Sequence, residues 1–119
     1  MKQYVGTIAE NGDRVVTVDG QPLALQLAVK NHSPTGFAWG YGGSGPSQLA
    51  LALCIDATDG NVDRAFDIYQ WFKWRIIAHL DEARGWELTQ QFILDQIAAL
   101  EAEKDERPPL EQQPAKAPF

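Results

Sequence analysis

Cysteine is nearly missing from this chain. Cys54 is the only one, so no intramolecular disulfide can form, and its apolar neighbours suggest a small buried hydrophobe. No apolar run approaches the roughly 18–20 residues of a membrane span, so no membrane partner is expected. The opening MKQYVGTI lacks the basic stretch and apolar core of a signal peptide, and a cytoplasmic location is expected. Only two histidines occur, and no set of Cys, His and acidic residues has zinc spacing. Neither a metal nor a cofactor is expected.

Basic charge is also scarce where it would matter. Residues 1–80 carry seven acids and six bases, whereas residues 81–119 carry nine acids and four bases, a net of −5. The body is therefore near neutral, and most of the acidity lies at the C-terminal end. Without a basic patch, direct nucleic-acid binding is not expected. The acidity itself reads first as a solubility device.

The 119 residues suffice for one domain burying roughly two-thirds of its unfolded surface. Hydrophobic residues at 45% and charged residues at 22% exclude wholesale disorder. One compact domain is expected over residues 1–106. The segment 107–119, RPPLEQQPAKAPF, holds four prolines and little that is apolar, and is expected to be a disordered tail.

Tyr4–Ala9 and Arg14–Val18 are rich in β-formers and flank Asn11-Gly12, a strong hairpin signal of type I′. Asp19-Gly20 signals a second turn of that kind. Leu23, Leu25, Leu27 and Val29 then alternate with Ala24, Gln26 and Ala28, a period of 2 that predicts a third strand.

Three helices are predicted beyond it. The first, Pro46–Thr58, is apolar nearly all round and so central, with Pro46 as its first residue behind a cap at Ser44 or Gly45. Gly60 suits the left-handed position after it. The second, Val62–Leu80 after Asn61, places Val62, Phe66, Tyr69, Phe72, Ile76 and Leu80 on one stripe, with Trp71 and Trp74 beside it. Asp81–Leu88 reads as a connector. Thr89 is a natural N-cap for the third helix, Gln90–Lys104. The fold class is α+β: a three-stranded antiparallel meander followed by three helices, with a glycine-rich strand-to-helix loop.

That loop is where function concentrates. Asn31–Asp56 holds half of the ten glycines and leads into the first helix. Gly40, Gly42 and Gly45 satisfy G-x-G-x-x-G, but a helix rather than a strand follows that helix, which excludes a dinucleotide fold. No Gly-Lys-Ser/Thr is present for a phosphate loop. Ser44 lacks the second glycine of a nucleophile elbow, because Pro46 stands there. A more general reading survives, since backbone N–H groups at a helix N-terminus bind anions.

The candidate ligand-binding residues are His32, Ser33, Thr35, Trp39, Gly40, Tyr41, Gly42, Gly43, Ser44 and Gly45. Hydroxyls would come from Ser33, Thr35, Tyr41 and Ser44, and a stacking face from Phe37, Trp39 or Tyr41. Lys30 and Arg75 are the candidate charges. The same glycines also suit a tightly packed crossover with Trp39 and Tyr41 in the core. Asp56 stands as the one acid of an apolar helix, where it either caps or anchors the loop, since burial demands partners, or else faces solvent.

The run NHSPTGFAWGYGGSGPSQLALAL, with VTVDGQPL before it and YQWFKWRIIAHL and GWELT after, resembles an uncharacterised family of bacteria and phages, domain of unknown function 6166. The resemblance covers nearly all of residues 4–97. It implies a one-domain protein sometimes carried by mobile elements, and no activity or site residue.

The expected function is that of a non-enzymatic binder of a nucleotide or other phosphate. In a phage setting, such a binder would act in counter-defence by sequestering a nucleotide immune signal. The first alternative is a protein-interaction module or inhibitor of a host protein, acting through its acidic C-terminal helix or exposed aromatics. The second is a small hydrolase or transferase using His32, Ser44 or Asp56. The generous aromatic content is compatible with a homo-oligomer.

Overall fold

The computed structural model describes residues 1–104; the proline-rich segment 107–119 lies outside the described residues. Four strands, β1 (Gln3–Ile8), β2 (Arg14–Val18), β3 (Gln21–Pro22) and β4 (Trp86–Thr89), form one antiparallel sheet in the order β3-β2-β1-β4. Three helices accompany it, α1 (Ser44–Ala57), α2 (Val62–Arg75) and α3 (Gln90–Ala102). The α+β class and the meander of the first three strands match the sequence. The fourth strand does not come from the meander.

Of the two turns, Asp19-Gly20 has positive φ at both positions, 49° and 83°, as type I′ requires. Asn11-Gly12 does not. Only Gly12 is left-handed, at φ 89°, and the Gly12 N–H bonds to Ala9 O at 2.8 Å. That is a three-residue hairpin loop closed by a glycine bulge.

The third strand is much shorter than its alternation predicts. Leu23 still donates to Val16 O at 3.0 Å, after which the chain leaves the sheet, and residues 23–43 hold neither helix nor strand. Gln26 turns left-handed at φ 64°, and Val29 N–H bonds back to Gln26 O. Alternation fails here because Leu25, Lys30, His32 and Ser33 find backbone partners in a side chain. Gln48, fully buried on α1, donates to Leu25 O and Lys30 O and accepts from the His32 and Ser33 N–H groups. One amide thereby satisfies four backbone groups.

The helix α1 begins two residues before Pro46, with Gly43 as its N-cap and no side-chain cap. Proline is tolerated there because the first turn needs no internal N–H bonds. The helix is buried from Pro46 to Ile55 and again at Ala57, the central position that its composition predicts. Its residues share one core with Tyr4 and Val16 of the sheet, Ile68 and Phe72 of α2, and Ile93, Ile97 and Leu100 of α3. Burial of this kind stabilises by roughly 25 cal/mol per Å² of apolar surface. The carboxylate of Asp56 is not solitary: it accepts from Tyr4 Oη at 2.7 Å and Lys2 Nζ at 3.1 Å.

Thr89 caps α3 as its position predicts, accepting from the Phe92 N–H, and Asn61 caps α2 by accepting from the Arg64 N–H. The helix α2 is shorter than expected, ending at Arg75 before a 3-10 turn at Ile77–His79. Its buried side carries Ala65, Ile68, Tyr69, Phe72 and Lys73, whereas Val62 and Phe66 of the predicted stripe are exposed. The predicted connector contains a strand, because Trp86–Thr89 pairs with β1 in the register Gly6↔Trp86 to Gln3↔Thr89. Bidentate pairs from Arg64 to Glu101 and from Arg75 to Glu103 tie α2 to α3.

Candidate functional site

The segment between β3 and α1 folds back over the turn of the first hairpin. An open cleft of about 460 Å³ lies between them. One wall is Gly12, Asp13, Arg14 and Val15, and the other carries Ser33, Thr35, Phe37 and Tyr41. Gly45, in the first turn of α1, also lines it. Thus four of the candidates, Ser33, Thr35, Tyr41 and Gly45, meet on one surface.

The other six lie elsewhere. Trp39 is completely buried, its indole N–H donating to Arg84 O at 2.8 Å and its ring meeting Trp86 edge to face. It is a core anchor. Gly40 is left-handed at φ 90° and lies so close to the Glu82 backbone that a Cβ would come within 2.6 Å of it. Gly42 lies beneath the Trp74 ring and Gly43 beneath the Tyr41 ring, each too close for a Cβ. Protein atoms therefore fill the space that these three glycines open. Ser44 is exposed at the start of α1. As residues of the first turn, Ser44 and Gly45 present backbone N–H groups with no carbonyl one turn earlier.

His32 is held away from the cleft by the protein itself. Its Nε2 lies 2.7 Å from Tyr69 Oη, and its N–H donates to Gln48 Oε1 at 2.7 Å. Burial lowers the His32 pKa from its usual value, and the charges of Lys30 and Lys73 lower it further. Burial likewise raises that of Tyr69, against an opposing hydrogen bond from Gln70. Lys73 is fully buried, with its ammonium 4.3 Å from the centre of the Trp74 ring, and burial lowers its pKa to about 8.

The charge at the cleft is not the one expected. Arg75 is engaged with Glu103, and Lys30 is not a lining residue. The cation is Arg14, which donates to Glu82 O at 2.7 Å and Gly12 O at 3.3 Å and lies 5.6 Å from the Trp39 ring centre. Beside it, Asp13 accepts from Asn11 Nδ2 at 3.1 Å. Neither reads as a site residue in the sequence, because about twenty residues separate them from the loop. Gln48 was missed as well. The only available signal was a polar residue inside the most apolar helix.

Ser44 and Asp56 stand twelve residues apart on α1, about 18 Å at 1.5 Å per residue, so they share no site. The Cys54 thiol is buried and its pKa pushed up by that burial, as an inert core thiol requires. Among the described residues, no group of three His, Cys, Asp or Glu side chains could hold a metal ion. No helix among them is long and apolar enough to cross a membrane.

Residues 4–99 match the model of DUF6166, described as a family of unknown function. No curated protein and no solved structure matches the chain.

Proposed function

The chain belongs to that family of unknown function, and on that premise we propose that it is a non-enzymatic binding protein for a small phosphorylated molecule, foremost a nucleotide. The observation that carries this reading is the convergence of Arg14, Tyr41 and Gly45 on one cleft. A guanidinium suits a phosphate as a fixed charge with several donors. The helix N-terminus at Gly45 adds partial positive charge to the same region. Tyr41, 43% exposed, offers a ring face on which a base can stack. A volume of about 460 Å³ falls within the range of small-ligand sites.

In a phage or mobile-element setting, such a protein would sequester a nucleotide immune signal. Calorimetry against cyclic and ADP-ribose-type nucleotides tests the reading. Saturable heat that Tyr41→Ala and Thr35→Ala reduce is expected, and no heat with any of the panel would sink it. The second reading, a protein partner, draws on Phe66, which is 46% exposed. The pairing of Glu101 and Glu103 with α2 weighs against an acidic α3 as the contact. A pull-down partner lost with Phe66→Asp would support this second reading, and retention would count against it.

A further inference from the structure

Two residues decide the charge that the cleft tolerates. Of the described side chains lining it, only Asp13 and Arg14 carry a charge; the others come from Gly, Val, Ser, Thr, Phe, Ala and Tyr. The two charges are opposite in sign. Arg14 is pinned by Glu82 O, Gly12 O and the Trp39 ring, so it supplies one fixed positive charge rather than a mobile arm. Asp13 is pinned too: Asn11 Nδ2 holds its carboxylate and Asn11 Oδ1 accepts its N–H at 3.0 Å. Being consecutive, the two residues act on a bound ligand from within a Debye length, about 8–10 Å.

From this arrangement, and resting on the reading of the cleft given above, we infer that the ligand is a nucleotide with a single negative charge on phosphorus. A phosphodiester such as a cyclic mononucleotide fits that description, and Asp13 is the residue that rejects polyphosphates. One phosphodiester charge can be matched by Arg14. Second and later phosphate charges find no second cation among the described lining residues, and they meet the Asp13 carboxylate in a protein of net charge −6. A unit charge about 6 Å from a carboxylate in water loses about threefold in affinity. The ionised carboxylate is an acceptor only, so it also suits a ribose hydroxyl or an exocyclic amine beside the phosphate.

The test compares cyclic AMP, AMP and ATP as probes by calorimetry in magnesium-free buffer, on the full chain and on Asp13→Asn. The expected order for the wild-type chain is cyclic AMP, then AMP, then ATP. In Asp13→Asn, cyclic AMP should gain about threefold and ATP tenfold or more, as expected for removing one charge. Asp13→Ser should behave like Asp13→Asn, which separates the loss of charge from a disturbed hairpin. ATP binding the wild-type chain as tightly as cyclic AMP would overturn the inference, as would an equal gain for all three probes, with the cleft reading intact in either case. No binding of any probe to either protein would remove the cleft reading and this inference with it.

Discussion

Gly6 of β1 and Trp86 of β4 are register partners, and the indole lies directly over the glycine, where a Cβ would collide with it. The missing side chain is what lets the ring settle on the sheet, beside Trp39 at a centroid distance of 5.5 Å.

Gly6→Ala should therefore displace Trp86 and loosen the β4 edge. Overpacking of this kind costs about 1–3 kcal/mol. Urea unfolding should show a lower midpoint with an unchanged slope. An unchanged midpoint would mean that the contact between Gly6 and Trp86 is not tight in solution.

Gln48→Ala removes both ends of the amide that holds residues 25–33. Two N–H groups and two carbonyls lose their partner at once. Since each buried unsatisfied group costs about 1–3 kcal/mol and some will regain water, a loss of about 3 kcal/mol is expected. Gln48→Glu keeps the two acceptor contacts but sets a buried carboxylate oxygen against the Leu25 and Lys30 carbonyls, so it should destabilise at least as much as the alanine variant. Hydrogen exchange at His32 and Ser33 should rise in both variants.

The pKa of His32 is lowered in the folded chain, so the unfolded chain takes up the proton first. Stability is then full above about pH 6.5, the unfolded value, and falls as pH drops toward the folded pKa. His32→Gln should flatten this dependence between pH 7.5 and 5. Denaturant midpoints measured across that range decide it, and parallel curves for the two proteins would contradict the assignment.

Trp39 and Tyr41 should separate stability from binding. Trp39→Phe leaves the Arg84 carbonyl without its donor and a gap in a fully buried site, so it should cost about 2 kcal/mol of stability. Tyr41→Ala removes an exposed ring and should cost little stability while lowering nucleotide affinity about fivefold or more. Thermal melts and calorimetry on the same two variants test the contrast. The reverse pattern would transfer the ligand contact to Trp39.

Much of this could be read locally. Thr89 announces the start of α3 because a cap acts on the turn that follows it. Ser33, Thr35, Tyr41 and Gly45 could be grouped because one short segment carries them. The third strand misled, since alternation from Leu23 to Val29 reports burial on one side but not ladder bonds, and those bonds went to Gln48. The fourth strand was hidden because four residues are too few for a periodic signal. Arg14 and Asp13 belonged to the hairpin on any local reading.

By itself the sequence determined the class, the central helix, its neighbours and the cap at Thr89, all of which follow from contacts within a few residues and from apolar periodicity. Tertiary structure alone decided which surfaces meet. Folding of the loop over the hairpin brought Arg14 and Tyr41 to one cleft, buried Trp39, and spent Gly42 on the ring of Trp74. Those juxtapositions join residues far apart in the chain. Packing fixes them through close-fitting shapes, and no local propensity encodes them.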